Sequence, residues 1–169
     1  MLVKPDAMTA DNRSSLPLAH AWIAAHIPHS GAMCLLDEVV QWDEETIRCT
    51  ATSHRDPGNP LRMNGRLAAV CAIEYAAQAM AVHGAVLGAA SERPRAGFLA
   101  SVRNVQTHVE RLDTLEAPLV VEATRISGDV NNILYRFVVS CDRQTIVEGR
   151  AAVILDASAV GAVARQEAG

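Results

Sequence analysis

Residues 66–90 read RLAAVCAIEYAAQAMAVHGAVLGAA, a run apolar on nearly every side with a single carboxylate inside it. Alanine, leucine, methionine and glutamine favour helix, and no proline interrupts the run. A helix without a broad polar face has to be covered on most of its sides. Ionising Glu74 in such surroundings costs several kcal/mol unless it is paired or hydrogen-bonded. Gln78 lies one turn further on, within reach of that carboxyl. The run exceeds the ~18 apolar residues of a membrane span. Glu74 and Gln78 near its middle, and alanine in place of leucine, oppose that reading and favour no membrane span. A core helix with a structural glutamate stays open beside a catalytic one. The polar loop upstream, His54-Arg-Asp-Pro-Gly-Asn-Pro-Leu61, begins with a histidine. A loop histidine and a buried carboxyl are the parts that proton transfer needs.

Outward from the helix the pattern changes to strands. Residues 16–26 predict a short helix, ending before Ile27-Pro28 because the residue preceding a proline disfavours the α region. Residues 34–42 and 46–53 read as strands, with Ile47, Cys49 and Ala51 on one face. Beyond the helix, 97–110, 118–127, 133–141 and 145–155 are strand candidates. Ile133, Tyr135, Phe137 and Val139 alternate, as do Val147, Gly149, Ala151, Val153 and Leu155. Short connections imply antiparallel pairing. The order two strands, one long helix, four strands gives an α+β protein in which an antiparallel sheet wraps one long central helix. Absence of alternating helices excludes a doubly wound parallel sheet. One domain is expected over 16–156, with a disordered segment 1–15 before it and a loose tail 157–169 after it.

Composition narrows the function. The 169 residues are half apolar and one fifth charged, with a formal charge of −4 and 4% aromatics. No basic cluster or stacking platform points to nucleic acid. Residues 1–15 lack the apolar core of a signal peptide, so cytoplasmic residence is the expectation. Cys34, Cys49, Cys71 and Cys141 are far apart, without metal-ligand spacing, and read as reduced, buried thiols with no metal site.

The motifs resemble the hot-dog fold and, within it, the 3-hydroxyacyl-[acyl-carrier-protein] dehydratases. Ile27-Pro-His-Ser-Gly-Ala-Met-Cys-Leu-Leu-Asp37 is similar to that family's opening Pro-His motif and Leu-Leu-Asp strand. Ile73-Glu-Tyr-Ala-Ala-Gln78 is similar to its Glu-x-x-Ala-Gln signature on the central helix. Ser53-His54 stands at the place of its catalytic histidine. The likeness is strongest to the divergent dehydratase-like proteins of aryl polyene clusters, where His-x-x-x-x-Asn-Pro-Leu precedes the helix. The Gly-His-Phe-Pro and Met-Pro-Gly elements of the housekeeping enzymes are absent.

The resemblance implies dehydration of 3-hydroxyacyl thioesters to trans-2-enoyl thioesters in fatty-acid or polyketide-type synthesis. The substrate would ride on the phosphopantetheine of acyl carrier protein, with no other cofactor. His54 is then the base for the C2 proton, the alternative being a loop histidine that only hydrogen-bonds locally, and Glu74 the acid that protonates the leaving hydroxyl. Gln78 orients Glu74, while Asn59, Pro60 and Leu61 shape the loop over the thioester or form a plain turn. Free N–H groups near Gly65, read as the helix N-terminus, would hold the thioester oxygen. Arg55, Arg62 and Arg66 rim the mouth, where they would draw an acidic carrier protein, or form a solvated rim. His29 is read as a structural hydrogen-bonding residue, with a site role the alternative, and His83 as a packed or surface one. Edge-to-edge pairing of sheets predicts a homodimer or dimer of dimers, with His54 facing the partner's carboxyl, or a hetero-assembly with a second dehydratase-like subunit. A hot-dog thioesterase and a non-catalytic partner subunit are the alternatives.

Overall fold

The computed structural model describes residues 17–88, 97–129 and 131–154. The expected loose ends, 1–15 and 157–169, lie outside the described residues. Among the described residues, seven antiparallel strands form one sheet in the order β1-β2-β3-β5-β6-β7-β4. These are β1 (Leu18–Ala19), β2 (Glu38–Trp42), β3 (Thr46–Ala51), β4 (Phe98–Thr107), β5 (Leu119–Gly128), β6 (Asn132–Cys141) and β7 (Gln144–Ile154). A short helix, α1 (His20–His26), follows β1, and the long helix α2 (Ala72–Leu87) lies between β3 and β4. This is the expected hot-dog arrangement.

Period-two patterning sets which face of the sheet turns inward. Ile133, Tyr135, Phe137, Val139 and Cys141 of β6 are buried, and so are Val147, Gly149, Ala151 and Val153 of β7. Ile47, Cys49 and Ala51 of β3 join them, and α2 packs across β3, β5 and β6. Gly149 leaves room for a ring: a Cβ there would stand 2.9 Å from Cζ of Phe137. The stretch Ala69–Leu87 has a mean hydropathy of 1.3, apolar enough for a membrane span by length and composition, yet here it is the core helix.

Three boundaries differ from the sequence reading. The α-helix begins at Ala72, not at residue 66. Residues 67 and 68 run extended beside 110–112, because Leu67 N–H donates to Asp113 Oδ1 (2.7 Å) and Ala69 N–H to the Glu110 carbonyl (2.9 Å). These long-range bonds override helix propensity before a 3-10 turn, Ala69–Cys71, opens α2. Its expected end at residue 90 lies outside the described residues. At the start of the domain, Leu18 pairs with Val39, so α1 waits until His20. Residues 34–37 stay outside β2 because Leu35 N–H is taken by a side chain of α2.

Among the described residues, strand β4 pairs with β7 alone and leaves its other edge open, with Phe98 and Leu99 exposed. An open edge with apolar side chains is a pairing surface.

Candidate active site

Gln78 is fully buried on α2 and uses both ends of its amide. Its Oε1 accepts the Leu35 N–H (2.9 Å), and its Nε2 donates to the Met33 carbonyl (2.7 Å) and to Glu74 Oε1 (3.0 Å). One side chain thus staples the chain before β2 to the helix and holds the carboxyl one turn back. Replacing it with leucine strands the buried Leu35 N–H, while the half-buried Met33 carbonyl can turn to water. Gln78→Leu is expected to cost about 1–3 kcal/mol, read from urea unfolding.

Glu74 is less enclosed than its sequence neighbours suggested: its side chain is 31% exposed. Its Oε1 accepts from Gln78 and stands 3.0 Å from His29 Nε2, while Oε2 takes no partner among the described residues. The histidine arrives there by local backbone chemistry. Pro28 prevents α1 from continuing, Ile27 is extended, and Gly31, at φ +58°, turns the chain into a 3-10 turn, Gly31–Met33. His29 therefore lies over the first turns of α2. Of the two readings its motif allows, a structural hydrogen bond or a place in the site, the structure puts it beside the carboxylate.

His54 is elsewhere. Its ring is fully buried, with Nε2 donating to the Leu115 carbonyl at 3.1 Å. That fixes Nδ1 as the unprotonated nitrogen, buried and without a partner. Burial pushes the imidazole below its ordinary value, against a smaller upward pull from the Leu115 carbonyl. The ring is enclosed by its own chain, and within the chain the histidine that meets Glu74 is His29, not His54. His54 anchors the loop instead, its carbonyl accepting from Arg62 Nη2 (3.0 Å).

The loop residues also act on the loop. Asn59 Nδ2 donates to the Ser53 carbonyl (2.9 Å) and the Tyr75 hydroxyl (3.0 Å), and its Oδ1 accepts the Leu61 N–H (2.9 Å). Pro60 is exposed and Leu61 packs on the core. Gly65 does not begin the helix. With Asn64 it makes a tight turn, φ +72° and +51°, that bridges Met63 and Arg66. At the true start, Val70 N–H has no acceptor among the described residues. Side chains lean toward a helix N-terminus, so Glu74 lies over the turn that contains Val70. Arg62 is a strut, bonded to the Gly65 carbonyl (2.9 Å) and 3.8 Å from Asp113, whereas Arg55 holds the Glu116 carbonyl (2.8 Å) and Arg66 is exposed. Arg111 beside Asp113 holds that carboxyl well below the usual range.

His83 is buried between the Tyr135 hydroxyl (3.0 Å) and the Asp43 carbonyl (2.8 Å), and burial lowers its pKa. His54 and His83 both have folded values below the ordinary 6.5. Unfolded chains therefore bind protons that the native chain refuses. Their contribution is complete above that value and declines as pH falls through the window below it. Unfolding free energy measured from pH 7 to 5 is expected to fall by up to ~1.4 kcal/mol per pH unit for each histidine. Cys34, Cys49 and Cys141 are buried and Cys71 half-buried, all unpaired, and burial pushes the Cys49 thiol up to about 12.

The model of the ApeP-like family, the ApeP dehydratases, matches residues 21–162. The chain belongs to this family. Among solved structures, this ApeP-like chain is similar to the dehydratase heterocomplex ApeI:P from Xenorhabdus doucetiae, at 25% identity and a TM-score of 0.72, covering 84% of this chain and 92% of that one. A thioesterase from Haemophilus influenzae matches at 14% identity and TM-score 0.51, covering 69% and 76%. The E. coli PaaI protein of the phenylacetic acid degradation operon matches at 13% and 0.53, covering 72% and 79%. These two share the fold alone. No curated protein sequence matches this ApeP-like chain.

Proposed function

We propose that this chain dehydrates 3-hydroxyacyl groups carried as thioesters on the phosphopantetheine of an acyl carrier protein, giving trans-2-enoyl thioesters and water. The observation that carries the reading is Glu74, whose Oε1 is tied down while its Oε2 is open at the start of α2. Hydroxide leaves C3 poorly, so a fixed carboxyl that delivers a proton to it is the central requirement. Val70 N–H, at the positive end of the helix, supplies a donor for the thioester oxygen as charge builds there. Hydrolysis of the same thioester has no need for an acid directed at C3.

The working unit is an assembly of two hot-dog subunits, this chain and a second dehydratase-like one. The ApeI:P relative is itself a heterocomplex. Helix α2 is apolar on nearly every side, yet only 50% of its apolar stretch is buried within the described chain, and the β4 edge stands open beside Phe98 and Leu99. A second subunit pairing along β4 covers both.

The test is mass spectrometry of 3-hydroxyacyl carrier protein incubated with the pure chain, alone and with the co-expressed second subunit. Loss of one water is expected. Loss of the acyl group would make the chain a thioesterase. No change from the pair, or water loss that survives Glu74→Gln in this chain, would make it a non-catalytic subunit.

A further inference from the structure

The sequence holds no basic cluster, yet the sheet assembles one. Arg103 of β4 lies directly opposite Arg150 of β7, and Arg150 lies opposite Arg136 of β6. Residues opposed in this way share a face of the sheet, so the three guanidinium groups form one row across neighbouring strands. All three are exposed, whereas Ala151 and Tyr135 beside them in the chain are buried against the core. Like charges directly opposite one another are destabilising, and little on this face relieves them. Glu148 is shared between Arg136 (3.5 Å) and His108 (3.4 Å), and Glu122 is held by Arg48 (3.2 Å). Arg103 and Arg150 meet no carboxylate among the described residues. The row runs out to the open edge of β4, in a chain whose formal charge is −4.

Resting on the two-subunit reading above, we propose that this arginine row makes the β4 edge choose its partner. It accepts a strand of the second subunit that carries a carboxylate facing Arg103, and it refuses a second copy of this chain. The edge offers unpaired backbone groups, so its occupant is a strand; a lipid surface or a nucleic acid cannot complete the ladder. Register decides what a second copy would meet. Ser101, Arg103 and Gln106 share the outward face, as their partners Ala152, Arg150 and Glu148 do. Two copies joined about a twofold axis normal to the sheet keep outward side chains outward, so outward residues face outward residues across the seam. Strand β4 runs from Phe98 to Thr107, and a seam that uses most of it centres near Arg103. Arg103 then faces its own copy at about 5 Å between Cβ atoms, or faces Ser101 with the copy's Arg103 diagonal to it at about 7–8 Å. Behind it on each side stand Arg150 and Arg136. A carboxylate on the facing strand turns the same position into a cross-strand ion pair and relieves the row. The exposed Phe98 and Leu99 give the edge adhesion to any strand, and the arginines discriminate.

The test mixes the parent chain with Arg103→Glu and reads the dimers by native mass spectrometry, which separates the possible pairings by mass. The two chains should share one circular dichroism spectrum, because the side chain is exposed. The mixed dimer is expected to be about 3- to 30-fold tighter than the parent dimer, and the difference should vanish in about 1 M ammonium acetate. Arg103→Gln, which only removes the charge, should self-associate more than the parent. The co-expressed second subunit should hold Arg103→Glu more weakly than the parent by a similar factor. A mixture with no more dimer than the parent alone, or a second subunit that holds both chains equally, overturns the proposal and leaves the two-subunit reading standing. A second subunit that binds neither chain overturns both.

Discussion

Glu74→Gln is expected to reduce dehydration about 10²- to 10⁴-fold while leaving the protein folded. The amide keeps the size of the side chain and can still accept at one atom, so the contacts with Gln78 and His29 persist in outline. What it cannot do is release a proton to the C3 hydroxyl. The side chain lies at the open end of α2 and contributes little to the core, so the melting temperature should move by only a degree or two. Turnover and a melting curve on one preparation check both halves. A variant as unstable as it is inactive would make the carboxyl structural.

His54→Ala should show the opposite pattern. Its ring fills a fully buried site and holds the Leu115 carbonyl, with Arg62 bonded to its backbone. Truncation leaves a cavity and removes the donor to Leu115, for an expected loss of about 3 kcal/mol. For a domain of this size that is a drop in melting temperature on the order of 10 °C. The fraction still folded at low temperature should turn over near the parent rate, because no acid or base has been removed. Loss of turnover without loss of stability would return His54 to the chemistry.

Part of the site is legible in the chain because it is local. Glu74 and Gln78 are one helical turn apart, so their contact follows from helix geometry once the run is read as helix. The strand faces follow from alternation for the same reason: Ile133 to Cys141 can bury one side only in one register. The motif at Ile27-Pro28-His29 did carry the signal for the third member. What obscured it was the competing position at His54, where a histidine at a strand end looks equally able to act.

The sequence by itself determined the class of the fold, the single long helix within an antiparallel sheet, and the carboxyl that helix presents. These depend on periodicity and spacing within a few residues. The tertiary structure alone decided which histidine meets that carboxyl and where the helix starts. His29 and Glu74 are 45 positions apart, and their contact depends on a turn at Gly31 and on the Gln78 staple to Met33 and Leu35. Leu67 and Ala69 leave the helix because Asp113 and Glu110, more than forty residues away in the chain, offer their N–H groups better partners. His54 is lost to the core by a carbonyl 61 residues along the chain. Hydrogen bonds between such distant groups leave no period in the sequence, because their partners are set by the packing of the whole sheet against the helix.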